Sequence, residues 1–449
     1  MDRIEALLAS VHRLAGSLDI KKYDLSGRVS EDISVSVQGG RVDQMSASDS
    51  IGVLVRVWHP SGAVGVASTS DISEGGLETA LAMAREVSTQ APREDAPIFS
   101  PEATAALAEV EMPQALEPVT AGLLAETLLR VEQRVLSAHP AMQSIPYNGL
   151  SQQATTSFYL HSEGATRRQK SARCSLYLYP KAEEVGRRGR MGNAVRQAAS
   201  FSGLDIDGCV EESVQKVLSH LDYEKIPSGR YVVVFSPSAI LALLGAFSNL
   251  WNARHILDQK SLSRPEDIGK QIASPCLSLS DYPLHPYNIR MPLFDGEGTP
   301  TRKTAILSDG QLVSFLHCAN TAMVMGQPLT GHAVVGARVS VDAHYLHLQR
   351  AQSATSALSL EAADDLVYVD KLTALHAGTQ ALQGSFSLPF DGWRYQHGER
   401  RSIEAATVAG DLLPMLQQIV HVGHEEKALP SGAAAEVWVE GLSIAGSES

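Results

Sequence analysis

Ile33, Val35 and Val37 alternate with Ser34 and Ser36, and Gly39-Gly40 ends the run. No other feature limits the possible folds as strongly. A period of two puts the apolar side chains on one face of a strand. Two adjacent glycines, both free to take φ > 0, then close a two-residue hairpin. The chain must therefore pair antiparallel here. Val53–Trp58 and Val64–Thr69 read as further strand runs, turned by His59-Pro60-Ser61-Gly62. Ile4, Leu7, Leu8, Val11 and Leu14 form one helical stripe before them. A second stripe, Leu77, Ala80, Leu81 and Ala84, follows a cap at Asp71 or Ser73. The unit reads α-β-β-β-β-α.

The same order returns after a stretch rich in Pro, Ala and Glu. A helix carries Leu124, Leu128, Val131 and Val135. Strands lie at Thr155–His161 and Arg173–Tyr179, and another helix carries Val210, Val214, Val217 and Leu221. Ile226-Pro227-Ser228-Gly229 marks the main boundary. Beyond it come a strand at Val232–Phe235, a helix capped by Ser236 with Pro237 at its first position, and then short strands between glycine turns. Leu412–Val420 reads as one late helix and Glu436–Ile444 as a last strand. The expected class is α+β: an N-terminal α/β region with antiparallel sheets and helices, and a mainly antiparallel, barrel-like C-terminal domain. The expected units are an N-terminal α+β unit at 1–88, a linker at 89–117, a middle α+β segment at 118–224 packing with the first, and a β-rich domain at 225–449.

Composition excludes several classes. Apolar residues make up 44% and charged residues 19% of the 449, enough for a core. The net charge of −13 lacks the basic footprint of a nucleic-acid binder. Arg167, Arg168, Lys170, Arg173, Arg187, Arg188 and Arg190 form a small basic cluster, read as the solvated face of a hairpin. The longest apolar stretch, Tyr231–Phe247, is broken by Ser236-Pro237-Ser238 and is too short to span a membrane. Cys174, Cys209, Cys276 and Cys318 lie far apart without a CxxC, as free thiols of a reducing compartment would, so the cytoplasm is the expected location.

Common catalytic signatures, including the P-loop, GxGxxG, GxSxG and HExxH, are missing. His344 and His347 sit three apart on an expected strand, which points them to opposite faces. His421 and His424 follow an expected helix end, where the dipole alone favours a cationic His. His317-Cys318 are adjacent and would point apart on a strand, which leaves Cys318 a buried thiol. Phe294–Arg302 (FDGEGTPTR) is the densest polar and glycine-rich stretch. In it Asp295 and Glu297 could form an acid/base pair or simply hold a tight loop.

Residues Ile51–Val57 (IGVLVRV) and Gly65–Asp71 (GVASTSD) resemble the N-terminal signature of the TldD/PmbA family. Phe294–Arg302, Thr330–Ala333 (TGHA), Gly384–Ser387 (GSFS) and Val408–Gly410 (VAG) resemble its C-terminal half, in order. The resemblance implies paired subunits of a metallopeptidase. One branch carries HExxxH on the helix after the first strand of the C-terminal domain, and a Cys near the C-terminus. Two His and the Cys would hold zinc while the Glu activates water. Here Gly245, Ala246 and Leu250 stand where His, Glu and His would be, and Val422 stands for the Cys. The chain is therefore similar to the PmbA (TldE) branch, with no metal and no catalytic residue of its own.

That resemblance implies a non-metal-binding subunit of a cytosolic complex acting on small or unfolded peptides, including leader removal. Zinc would come from a TldD-like partner. Asp295, Glu297, Arg302 and His332 are the candidate groove or interface residues. The isolated chain is expected to form a homodimer, with no direct nucleic-acid or membrane contact. Two alternatives are a modulator of DNA gyrase acting by direct protein interaction, and an independent hydrolase with an unrecognised site.

Overall fold

A computed structural model describes residues 3–91, 99–110, 119–354, 358–360, 365–397 and 399–446. The N-terminal region contains α1 (Arg3–Ser17), β1 (Tyr23–Gln38), β2 (Arg41–Trp58), β3 (Val64–Thr69) and α2 (Glu74–Gln90). It continues with α3 (Ala121–Ser137), β4 (Met142–His161), β5 (Thr166–Ala182), β6 (Arg190–Met191), β7 (Ala194–Ala198) and α4 (Ile206–Ser219). The strands form one antiparallel sheet in the order β3-β2-β1-β4-β5-β6, with β7 also on β5. The two halves meet where β1 pairs β4, from Asp24 opposite His161 to Val35 opposite Leu150. The sequence reading begins a strand at Val53 and counts four strands in this unit. The structure runs Arg41–Trp58 as one strand, so the first unit is α-β-β-β-α.

Alternation gives this sheet two different faces. Leu25, Val53, Val55, Val57, Phe158 and Leu160 pack under α1 and α2. Val35, Val37, Leu150, Cys174, Leu176 and Leu178 pack under α3 and α4. Burying each such side chain is worth roughly 1.5–3 kcal/mol. The other face is polar. It carries Ser26 and Arg28 on β1, Gln153 and Ser157 on β4, and Gln169 and Arg173 on β5, and it is turned toward the C-terminal domain.

That domain follows a short strand, β8 (Tyr223–Glu224), with β9 (Gly229–Phe235) and α5 (Pro237–Ala246). Ser236 Oγ accepts the Ala239 N–H at 3.1 Å and Pro237 starts the helix, as the sequence predicts. A five-stranded barrel closes in the order Asp365–Leu372, β9, Val437–Ala445, Ala406–Asp411, Ser385–Gln396 and back to Asp365–Leu372. A second sheet is centred on Leu277–Asp281 and Leu346–Arg350. The fold is thus mixed α+β with a barrel in its C-terminal half.

Two expected helices are shorter than their apolar stripes suggest. α5 stops at Ala246, and Ser248–Leu250 forms a 3₁₀ turn. The late helix spans only Leu412–Gln417, after which Ile419–Val422 pairs with the last strand. Within the expected linker, 92–98 and 111–117 lie outside the described residues. The described part is docked: Phe99 stacks on His161 at 4.2 Å, and Ala103 is buried. No helix among the described residues is long and apolar enough to cross a membrane.

Candidate functional site

The Phe294–Arg302 loop joins the domains. Asp295 is 4% exposed, and its carboxylate accepts backbone N–H bonds from Glu297 (2.9 Å), Thr299 (3.0 Å) and Ala333 (2.9 Å). Burial, and then repulsion from Glu297, pushes its pKa up to about 7 against the pull of those three donors. Glu297 is also buried. It accepts the Ala319 N–H at 2.9 Å and lies 3.7 Å from the Arg56 guanidinium. Burial raises the Glu297 pKa despite Arg56.

Arg56 in turn grips Asp24 with two nitrogens, Nε lying 2.9 Å from Oδ1. Tyr159 donates its hydroxyl to Asp24 at 3.1 Å. Burial works against the charge on Arg56, but Asp24 and Glu297 outweigh it and the net shift is upward. Gly298 lies at φ +75°, and a Cβ there would come 2.5 Å from the Tyr159 ring. The remaining ties are Arg167 Nε to the Gly298 carbonyl (3.2 Å), Thr299 to Ser100 (2.8 Å) and Arg302 to Glu102. Arg167 is therefore buried at a domain contact, not part of a solvated hairpin face.

His332 is fully buried. Its Nε2 is 2.8 Å from Asp281 Oδ2 and its Nδ1 is 2.9 Å from Thr330 Oγ1. The other Asp281 oxygen accepts the His344 and Tyr345 N–H groups at 2.8 and 2.7 Å. His344 Nε2 sits against the Gly331 carbonyl at 2.8 Å. Burial, then the neighbouring His332, lowers the His344 pKa to about 4. Cys318 starts the Ala319–Met325 helix, and burial raises its thiol pKa; His317 turns its Nδ1 to Thr321 instead. The pair is not an activated thiol.

His344 and His347 take separate partners, whereas the rings of His421 and His424 lie edge to face at 6.4 Å. His347 meets Glu426 at 2.9 Å and packs at 4.6 Å against His285. Those three residues offer ligand atoms within 4.8 Å of one another, a grouping that sequence spacing does not reveal. The four motif positions have no such capacity. Gly245 is exposed and Ala246 half-buried at the end of α5, while Leu250 and Val422 are buried in one core. None has a side-chain lone pair, so these residues do not fit a zinc ion.

Between the polar sheet face and the C-terminal loops lies a cavity of about 940 Å³. Arg28, Arg173, Arg290, Asp295 and His344 line it, whereas Glu297, Arg302 and His332 are not among its lining residues. Sequence reading did not single out Arg28 or Arg290, because only the fold brings them to Arg173.

Profiles of the PmbA/TldA metallopeptidase family match nearly the whole chain. Domain 1 matches residues 23–89, the central domain 115–221 and the C-terminal domain 228–446. The metalloprotease PmbA of Escherichia coli O157:H7 is 24% identical over 434 residues, covering 92% of this chain and 90% of that protein. A PmbA homologue of Haemophilus influenzae is 23% identical over 390 residues, covering 85% and 83%. Two crystal structures share the fold. One, from Thermotoga maritima and labelled a candidate modulator of a DNA gyrase, has a TM-score of 0.88 at 23% identity, covering 98% of this chain and 100% of that one. TldE from Thermococcus kodakarensis has a TM-score of 0.86 at 19% identity, covering 99% and 100%.

Proposed function

Because this chain belongs to the PmbA/TldD metallopeptidase family, we propose that it is the non-metal subunit of a TldD/TldE-type peptidase. A relative carrying the HExxxH helix would bring the zinc. One observation carries the reading: Gly245, Ala246, Leu250 and Val422 occupy the motif positions. Zinc hydrolysis needs three protein ligands and a base that takes a proton from the metal-bound water. Aliphatic side chains do neither. This chain's part is to hold substrate. The cavity between the polar sheet face and the C-terminal loops, about 940 Å³ in volume, is where a stretch of peptide would lie. Small or unfolded peptides, including leader segments, fit that role, and the cytosol is its setting.

Co-expression with an affinity-tagged HExxxH relative from the same organism tests the proposal. The expected result is co-elution of the two chains and peptide cleavage that a chelator abolishes, with neither chain active alone. Robust, chelator-insensitive cleavage by this chain alone would overturn it. So would full activity of the relative without this chain.

A further inference from the structure

Arg28, Arg173 and Arg290 line the same cavity, and among the described residues none of them forms an ion pair. In a chain of net charge −13 that is an unusual concentration of uncompensated positive charge. The fold holds it in place. Across the sheet Arg28 lies opposite Ser157, and Ser157 lies opposite Gln169. Gln169 accepts the Leu293 N–H and donates to the Met291 carbonyl, both at 2.8 Å. These bonds stitch the 290–293 loop onto the sheet and hang Arg290 over the row that carries Arg28. Arg173 lies on the same face, further along the strand that carries Gln169, and is braced by Gln153 at 3.0 Å. Burial, followed by repulsion from Arg173 and Arg28, lowers the Arg290 pKa, so the three charges act on one volume.

Neither carboxylate at the cavity wall forms an ion pair with them among the described residues. Asp295 spends its oxygens on three backbone N–H groups, and Asp342, which is exposed, accepts the Ala343 N–H at 2.9 Å. Guanidinium forks match a carboxylate with two parallel hydrogen bonds, and a cleft between low-dielectric walls in which arginines outnumber carboxylates favours an anion. We propose that this cleft recognises carboxylates on a peptide, either its free C-terminus or its acidic side chains, through Arg28, Arg173 and Arg290. The proposal deepens the peptide-holding role and rests on it. An anion between the three guanidiniums relieves their mutual repulsion, so acidic peptides are bound in preference to neutral ones.

Fluorescence anisotropy on the full chain, without any partner, tests this. The probe is a fluorescein-labelled hexapeptide of alternating Ala and Glu with a free C-terminus. Companion probes replace Glu by Gln, the C-terminus by an amide, or both. Tightest binding of the acidic probe, weakening roughly tenfold or more with each arginine replaced by Gln, is expected; so is weakening with added salt. The Gln and amide probes show which carboxylate source dominates. Arg290→Lys keeps the charge without the fork and should fall between wild type and Arg290→Gln. Thermal melts confirm that each variant is folded. Equal binding of all four probes, no binding of any, or an unchanged affinity in the folded triple Gln variant would overturn the proposal. Because no partner is present, a failed reconstitution with an HExxxH relative sinks the subunit reading and leaves this binding result standing.

Discussion

Arg56, on a central strand of the N-terminal sheet, directs its guanidinium at Glu297 of the C-terminal domain, 3.7 Å away, with both side chains less than one-tenth exposed. With Asp24 on its other side, Arg56 is the shared cation of two buried carboxylates, so the contact between domains is electrostatic at its centre.

Removing that cation leaves two buried charges unpaired. Arg56→Ala should cost ~3–5 kcal/mol, read as a lower urea midpoint. Arg302→Ala breaks a half-exposed pair with Glu102 and should cost about 1 kcal/mol or less. Equal losses in the two variants would contradict a buried latch.

Acidity should act on stability in a defined window. Burial lowers the pKa of His220 to about 3 and of His317 and His344 to about 4. Between those values and the ordinary His pKa, about 6.5, the unfolded chain binds more protons, so stability rises with pH there. Asp295, raised to about 7, opposes this: the folded state holds its proton longer, and that contribution is lost as pH rises toward 7. Glu297 and Asp391, also raised by burial, act in the same sense as Asp295, but five histidines with lowered pKa, His161 and His285 included, outnumber these three carboxyls. The urea midpoint should climb from pH 4 to about 6.5 and then flatten. A midpoint that falls across that window would contradict the assignment.

Metal analysis of untagged protein should find well under one zinc per chain. The motif positions have no ligands. At the one three-residue grouping found among the described residues, His285 Nδ1 already accepts the Tyr287 N–H at 3.2 Å, and Glu426 holds His347 at 2.9 Å. Stoichiometric zinc that survives mild chelation and vanishes in His347→Ala would reverse the expectation.

Without a partner the chain should self-associate. Residues 41–50 of β2 are exposed on both faces, β3 covers only Val53–Trp58, and Val42 and Met45 are 40% and 51% exposed. Such an edge invites pairing. A two-fold homodimer burying at least ~1,000 Å² should give about twice the 48.1 kDa of one chain by light scattering, and Met45→Glu should lower that mass. A wild-type monomer at micromolar concentration would count against the paired-subunit account.

Apolar periodicity locates the helices and the buried ends of the strands, because burial is what writes that pattern. It fails at Asp43–Ser50, which stays in β2 through backbone pairing with β1 rather than through packing. It also misses the first part of β4, Met142–Ala154, where Gln153 faces the cleft. In Val55-Arg56-Val57 alternation does turn Arg56 away from the helix-covered face. Its carboxylate partners, however, come from β1 and from a loop of the other domain, and no local pattern joins them. Phe294–Arg302 stands out in the sequence by composition, yet only the structure shows that Asp295 braces the C-terminal loops while Glu297, Gly298, Thr299 and Arg302 reach Arg56, Arg167, Ser100 and Glu102.

The barrel also bears on how the chain is made. Its last strand, Val437–Ala445, lies between β9 and Ala406–Asp411. During synthesis β9 emerges early and waits, with one edge unpaired, until residue 445 clears the ribosome. The N-terminal sheet can form as it is translated, but the barrel can close only once Val437–Ala445 has emerged. That long-range closure makes the C-terminal half the slow step of folding and the interval when a chaperone is needed most.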